Sequence, residues 1–299
     1  MPILKKSDVT PERPVIITIY GQAGTGKTSL ATTANSPLLI DTDRGYDRAI
    51  NRCDTLIANK WEEVTAEFET MKSYKTIICD TARAALDDYL VQYAISKDYK
   101  LKTNTLKRFG QIGDDFKNFV NFLRSNGSDI IFICHDKEAT EGDVIKHSPD
   151  CTGQSKDLLL RISDQVGYVS VINKKRCVSF DPTETLTGKN VAKLPTLEIP
   201  DENDPAFLTF MADIIEKVKE SIQKQSEAQK EALEKVRELT SAIETMETPE
   251  QAMEISGEIM NLTKMQQAGL RKMFSEKTKS IGIKYNPDTK TFERCTQSA

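Results

Sequence analysis

The run from Gly21 to Thr28 reads Gly-Gln-Ala-Gly-Thr-Gly-Lys-Thr, and the β-branched and aromatic stretch Val15 to Tyr20 leads into it. A strand opening into G-x-x-x-x-G-K-[ST] is the local chemistry of a phosphate cradle. The glycines let successive backbone N–H groups converge on an anion, the lysine adds a mobile positive charge, and the hydroxyl can reach a magnesium ion. Gly21, Ala23, Gly24, Thr25, Gly26, Lys27, Thr28 and Ser29 are the expected nucleotide contacts, with ATP and Mg2+ as the expected ligands. Ser29 to Ala34 can supply the helix that must follow, before Pro37 stops it.

Such a loop belongs in an α/β framework, and the rest of the chain supplies one. Pro37 to Asp41, Thr55 to Ala58, Lys75 to Asp80 and Asp129 to His135 are apolar runs of the kind that form parallel strands covered on both faces. Between the last two, Phe116, Phe119, Val120 and Leu123 recur at helical spacing. This βαβ series predicts a doubly wound, mainly parallel sheet. Tyr168 to Ile172 and Arg176 to Phe180, joined by Asn173-Lys174-Lys175, predict an antiparallel hairpin at its edge.

From Pro205 onward Glu, Lys, Gln, Met and Leu dominate, which divides the 299 residues into a core over 1–204 and an α-helical region over 205–299. Leu233, Val236, Leu239, Ile243 and Met246 form one stripe, suited to a helical hairpin or a coiled coil. Thr248-Pro249-Glu250-Gln251 has the residues of a capping box with proline at the first helical position, and Thr263 to Gln266 repeats the capping pattern.

A net charge of −4 gives no global attraction to nucleic acid or an anionic membrane, so any polyanion site must be a local basic patch. The absence of a signal-like or membrane-spanning apolar run predicts a soluble, cytoplasmic protein. The six cysteines include no C-x-x-C pair and read as buried reduced thiols. Cys134, His135, His147 and Cys151 match no standard zinc spacing, and neighbours on a strand face opposite ways.

Phosphate-loop chemistry also needs an acid at the end of a neighbouring strand, and Asp80 fits, pairing with Thr28 as the expected Mg2+ ligands. Asp41, Asp43 and Asp47 cluster after the second strand as candidates to orient the attacking water. Together with the phosphate loop, Leu39 to Gly45, Ile77 to Asp80, Ile131 to Glu138 and Asp164 to Gly167 resemble phage-encoded RecA-like P-loop ATPases, a group that includes single-strand annealing proteins. The resemblance implies a RecA-like core, assembly into a ring or filament, and pairing of single-stranded DNA. It assigns water activation to Asp43, where the family usually carries glutamate, and γ-phosphate sensing to His135, where it usually carries glutamine. It also points to Lys189, then Lys193, as the basic residue a neighbouring subunit lends to catalysis.

Lys97, Lys100, Lys102, Lys107 and Arg108, interleaved with Tyr99 and Phe109, form the densest basic stretch of the core and the expected DNA contact. The glycine-containing connection from Lys137 to Lys156 is a second candidate. The leading reading is an ATP-dependent protein that binds single-stranded DNA and promotes annealing or strand pairing in phage recombination. Its helical region would dock a nuclease or a single-strand binding protein. A P-loop kinase or nucleotidase acting on a small molecule, or a nonenzymatic scaffold liganded by ATP, are the alternatives.

Overall fold

Strand residues alternate between the two faces of a sheet, so an unbroken apolar run makes a strand with two buried faces. The computed structural model, which describes Asp8 and residues 12–295, builds its core from such runs. The elements of the core are β1 (Ile16–Gly21), α1 (Lys27–Ala31), β2 (Pro37–Asp41), β3 (Asp54–Ile57), α2 (Trp61–Ala66), α3 (Phe68–Met71) and β4 (Thr76–Asp80). They continue with α4 (Leu90–Lys97), α5 (Thr105–Ser125), β5 (Asp129–Glu141), β6 (Val144–Pro149), α6 (Gly153–Ile162), β7 (Gln165–Ile172), β8 (Lys175–Ser179), β9 (Lys189–Asn190) and β10 (Leu197–Glu198).

The sheet runs β10-β8-β7-β1-β5-β4-β2-β3, parallel from β7 through β3 and antiparallel where β8 and β10 are added. Ile16, Tyr20, Ile77, Ile130 and Phe132 face Trp61, Phe116, Phe119 and Leu123 on one side. Ile17, Ile19, Ile78, Ile131 and Ile133 face Leu30 and Ala31 on the other. The expected hairpin is β7–β8, turned by Asn173 and Lys174, both at positive φ, as a two-residue hairpin with the twist of its strands requires. β10 lies outside β8, so the hairpin is not the last strand of the sheet.

The chain divides into two compact units, one ending at Ile222 and the other taking up the chain from Gln223. The first unit thus runs past the change in composition at Pro205. Phe207, Met211, Ile214, Ile215 and Val218, from a 3-10 turn and the start of α7 (Phe210–Thr245), are buried in the second face of the sheet. Composition registers the many polar residues of a helix, whereas membership of a core is decided by its narrow apolar stripe.

In the second unit Leu239, Ile243 and Met246 of the stripe are buried with Ala252, Ile255 and Ile259 of α8 (Pro249–Met260) and Leu270 of α9 (Lys264–Ser280). Both capping boxes form, Thr248 with Gln251 and Thr263 with Gln266. A hairpin of β11 (Ile283–Asn286) and β12 (Thr291–Arg294) adds Ile283 and Phe292 to the same cluster. This strand pair was not expected in a helical region, although Asn286-Pro287-Asp288 between apolar alternations is a turn signal. Among the described residues no helix is long and apolar enough to cross a membrane.

Candidate nucleotide site

Open α/β sheets bind ligands beyond the carboxyl ends of their strands, where successive crossovers diverge. Register places the chemistry there. Gly21 lies opposite His135, Asp80 opposite Ile133, and Asp41 opposite Asp80. The phosphate loop, His135 and the two carboxylates therefore leave the sheet side by side.

Gly24 and Gly26 sit at φ 78° and 79°, where a side chain would be strained. At Gly21 a Cβ would come within 2.4 Å of the Val169 carbonyl oxygen, so β1 and β7 can approach only because that residue is glycine. The Lys27 ammonium donates to the carbonyls of Gly21 (2.9 Å) and Gln22 (2.7 Å), closing the loop around its own lysine. Burial pushes its pKa down, opposed by the nearby charge of Asp80.

The Thr28 hydroxyl donates to Asp80 Oδ2 at 2.6 Å. Asp80 is 9% exposed; burial raises its pKa, and the Thr28 bond works against that shift. Thr42 fixes the main chain beneath it: its Oγ1 donates to the Asp80 carbonyl at 3.0 Å and accepts from Thr81 N at 2.9 Å. Asp41 is turned inward, where its carboxylate accepts from the backbone amides of Asp43, Gly45 and Tyr46. It shapes the loop, and Asp43 projects from that loop. Asp43 Oδ2 lies 3.7 Å from His135 Nε2.

Lys27, Thr28, Asp43, Asp80 and His135 line one cleft of about 290 Å³, together with Ser29, Arg48 and Glu202. Lys27, Thr28, Asp80, Asp43 and His135 are brought together; Asp47 is not among the lining residues. Thr25 turns away and donates to the Gln22 carbonyl. The oxygen donors of Thr28 and Asp80, 2.6 Å apart beside a cradle that tolerates only glycine at two positions, suit a hard cation such as Mg2+ accompanying a phosphate.

Thr42, Arg48, Arg176 and Glu202 were not anticipated. Arg176 Nη1 pairs with Glu202 Oε1 at 2.7 Å and would meet a Cβ placed on Gly26 at 2.5 Å, so a cation from β8 stands against the phosphate loop. Nothing local in the sequence marks this, since the two meet through the pairing of distant strands. Thr42, between two of the candidate carboxylates, had a local signal in its β-branched hydroxyl.

The other expected residues lie elsewhere. Lys189 is in β9, beside β7, with its ammonium 3.3 Å and 3.4 Å from the carbonyls of Leu160 and Arg161 at the C-terminal end of α6. That is a favourable place for a cation on a helix. Lys193 follows at φ 54°. Lys97 ends α4, Lys100 and Lys102 lie in a 3-10 turn, and Lys107 and Arg108 begin α5. The four lysines are exposed, with Lys97 Nζ 3.9 Å from the centre of the Tyr93 ring. Arg108 instead donates to the carbonyls of Leu101 and Lys102, holding the turn onto the helix. The basic stretch thus runs from the end of α4 through a 3-10 turn into the start of α5. The Lys137 to Lys156 connection forms the β5–β6 hairpin followed by the start of α6.

Cys134 and Cys151 are buried with their sulfurs 3.9 Å apart, while His135 faces the cleft and His147 bonds to Asp136. Strand alternation thus separates His135 from the two thiols, and their proximity holds the Cys134 thiol well above its usual range.

No curated protein matches the chain. The family model described as AAA domain, AAA_24, matches residues 13–191, the span that contains the phosphate loop, Asp43, Asp80, His135 and Lys189. The fold, the cleft and this match agree, and the chain belongs to the AAA domain family, with an AAA/P-loop NTPase-type core.

Proposed function

We propose that this protein is an ATP-hydrolysing, RecA-like member of the family that binds single-stranded DNA and promotes annealing or strand pairing in phage recombination. One observation carries the hydrolytic part. Asp43 and His135 approach to 3.7 Å across the cleft that Lys27, Thr28 and Asp80 also line. The backbone amides of the phosphate loop and the Lys27 ammonium hold the β- and γ-phosphates, while Thr28 and Asp80 hold the metal. Mg2+, when bound, neutralises charge that develops on the phosphate oxygens. Asp43 accepts a hydrogen bond from the attacking water and takes its proton, and His135 donates to a γ-phosphate oxygen. His135 also begins the outer part of β5, which continues into the β5–β6 hairpin, so movement at the γ-phosphate has a rigid element to act on.

The nucleic-acid part is supported by the exposed lysines 97, 100, 102 and 107 and by Tyr99, 73% exposed and placed to stack on a base. Lys189 of a neighbouring subunit in a ring or filament would complete the phosphate site, and the second unit would dock a nuclease or a single-strand binding protein. The test is ATP turnover titrated with single-stranded DNA, with particle size followed in parallel. Asp43→Asn is expected to lower turnover by about 10²- to 10⁴-fold while ATP still binds. Turnover of a small-molecule acceptor without any response to DNA would replace this reading with that of a kinase or nucleotidase.

A further inference from the structure

Beyond the sheet edge, β5 and β6 continue as a two-stranded arm in which Glu138 is paired with His147 and Asp136 with Pro149. Asp136 and Glu138 are two residues apart on one strand, so they share a face, and His147 joins them from the facing strand. One carboxylate oxygen from each acid and one imidazole nitrogen lie within 4.8 Å of one another. This face is opposite to the one that sends His135 into the nucleotide cleft.

The Asp136 side chain is only 3% exposed. Its Oδ2 meets His147 Nδ1 at 2.6 Å and accepts from the Tyr168 hydroxyl at 3.3 Å. Its Oδ1 is buried and has no hydrogen-bond partner. Neither Asp136 nor Glu138 has a lysine or arginine ion-pair partner among the described residues. A buried carboxylate oxygen left without a partner is costly, and folded proteins rarely keep one without a use.

We propose that Asp136, Glu138 and His147 form a binding site for a divalent transition-metal ion, Zn2+ before Mn2+, separate from the magnesium site at Thr28 and Asp80. An imidazole with two carboxylates favours Zn2+ over the purely oxygen-seeking Mg2+. The ion would take the place of the hydrogen bond between His147 Nδ1 and Asp136 Oδ2, with the imidazole proton carried on Nε2, and would give the buried Asp136 Oδ1 the partner it lacks. The Tyr168 hydroxyl orients the aspartate. Tyr20, the residue before the phosphate loop, donates to the Thr187 carbonyl at 2.7 Å and to the His147 carbonyl at 3.3 Å, so the site bears on β1 through the backbone of its own ligand.

The test is calorimetric titration of the chelator-stripped full chain with Zn2+ alone, without nucleotide. Visible absorption of a Co2+-loaded sample reports nitrogen and oxygen ligation. One equivalent is expected to bind, with affinity reduced about tenfold or more in both His147→Ala and Glu138→Gln and retained in Asp80→Asn. Glu138 is exposed, so its variant keeps the fold intact. No uptake by the wild type, uptake unchanged in Glu138→Gln and His147→Ala, or uptake abolished by Asp80→Asn or by Cys134→Ser would each overturn the site.

Discussion

Replacing Thr28 by alanine removes the hydroxyl that donates to Asp80 Oδ2 at 2.6 Å, and it does so where the carboxylate is nearly sealed from water. A hydrogen bond to a charged group contributes about 1.5–3 kcal/mol, so the nucleotide-free protein is expected to lose about 2 kcal/mol of stability. For a unit of this size that corresponds to a melting midpoint lower by roughly 4–8 °C. The same bond counteracts the burial that raises the Asp80 pKa. A raised carboxyl pKa means the folded state holds its proton longer than the unfolded chain does. Stability from this group is therefore full below the ordinary carboxylate range and is lost as pH rises through its folded pKa. Asp80→Asn removes that loss and should raise the midpoint at neutral pH, while the wild type is expected to gain stability from Mg2+ and ATP together and the variant is expected not to. The decisive comparison is a double-mutant cycle read by denaturant unfolding. Thr28→Ala should cost less in the Asp80→Asn background than in the wild type, since a neutral partner makes a weaker bond. Equal losses in the two backgrounds would show that the hydroxyl does not act through Asp80, and would refute the reasoning.

Other outcomes follow from the same geometry. Neutralising Lys97, Lys100, Lys102 and Lys107 together should weaken binding to single-stranded DNA and flatten its dependence on salt, measured by fluorescence anisotropy across a salt series; an unchanged slope would remove this corner from the nucleic-acid surface. Lys189→Ala should lower DNA-stimulated ATP turnover while leaving nucleotide affinity intact, and normal turnover would return that lysine to its helix-end role beside Leu160 and Arg161. Phe207→Ala, at a fully buried site beyond the composition change, should destabilise the core unit by about 3–5 kcal/mol in denaturant unfolding.

The residues that the structure gathers around the cleft were legible because their signals are local. A glycine at φ 78° or 79° shows in the sequence as a glycine, and an acid at the end of an apolar run shows as such an acid. The same locality revealed both capping boxes, whose donors and acceptors lie three residues apart. What stayed hidden depends on strand pairing. Arg176 and Glu202 reach the phosphate loop because β8 lies next to β7 and β7 next to β1, an order that no window of sequence contains. Arg108 was grouped with its neighbouring lysines by charge alone, yet it is spent on two carbonyls of the preceding turn. The start of α7 was assigned outside the core because the composition of 205–299 was read as a whole, which hides that Phe207, Met211, Ile214, Ile215 and Val218 near its beginning pack beneath the sheet.

Two charged groups of the cleft, Lys27 and Asp80, are displaced in opposite senses for one reason. Burial lowers the pKa of Lys27 and raises that of Asp80, so each is driven toward its neutral form. Their mutual attraction opposes both shifts without cancelling either, because the lysine is turned onto the carbonyls of Gly21 and Gln22 while the aspartate is held by Thr28. A phosphate beside Lys27 and a cation beside Asp80 would each restore the charged form, which makes the pocket a better host for a magnesium triphosphate than for either component alone. The preference needs no contact beyond those the β1 and β4 ends already provide. It follows from carrying a base and an acid to a largely buried sheet edge, where desolvation weighs against both charges.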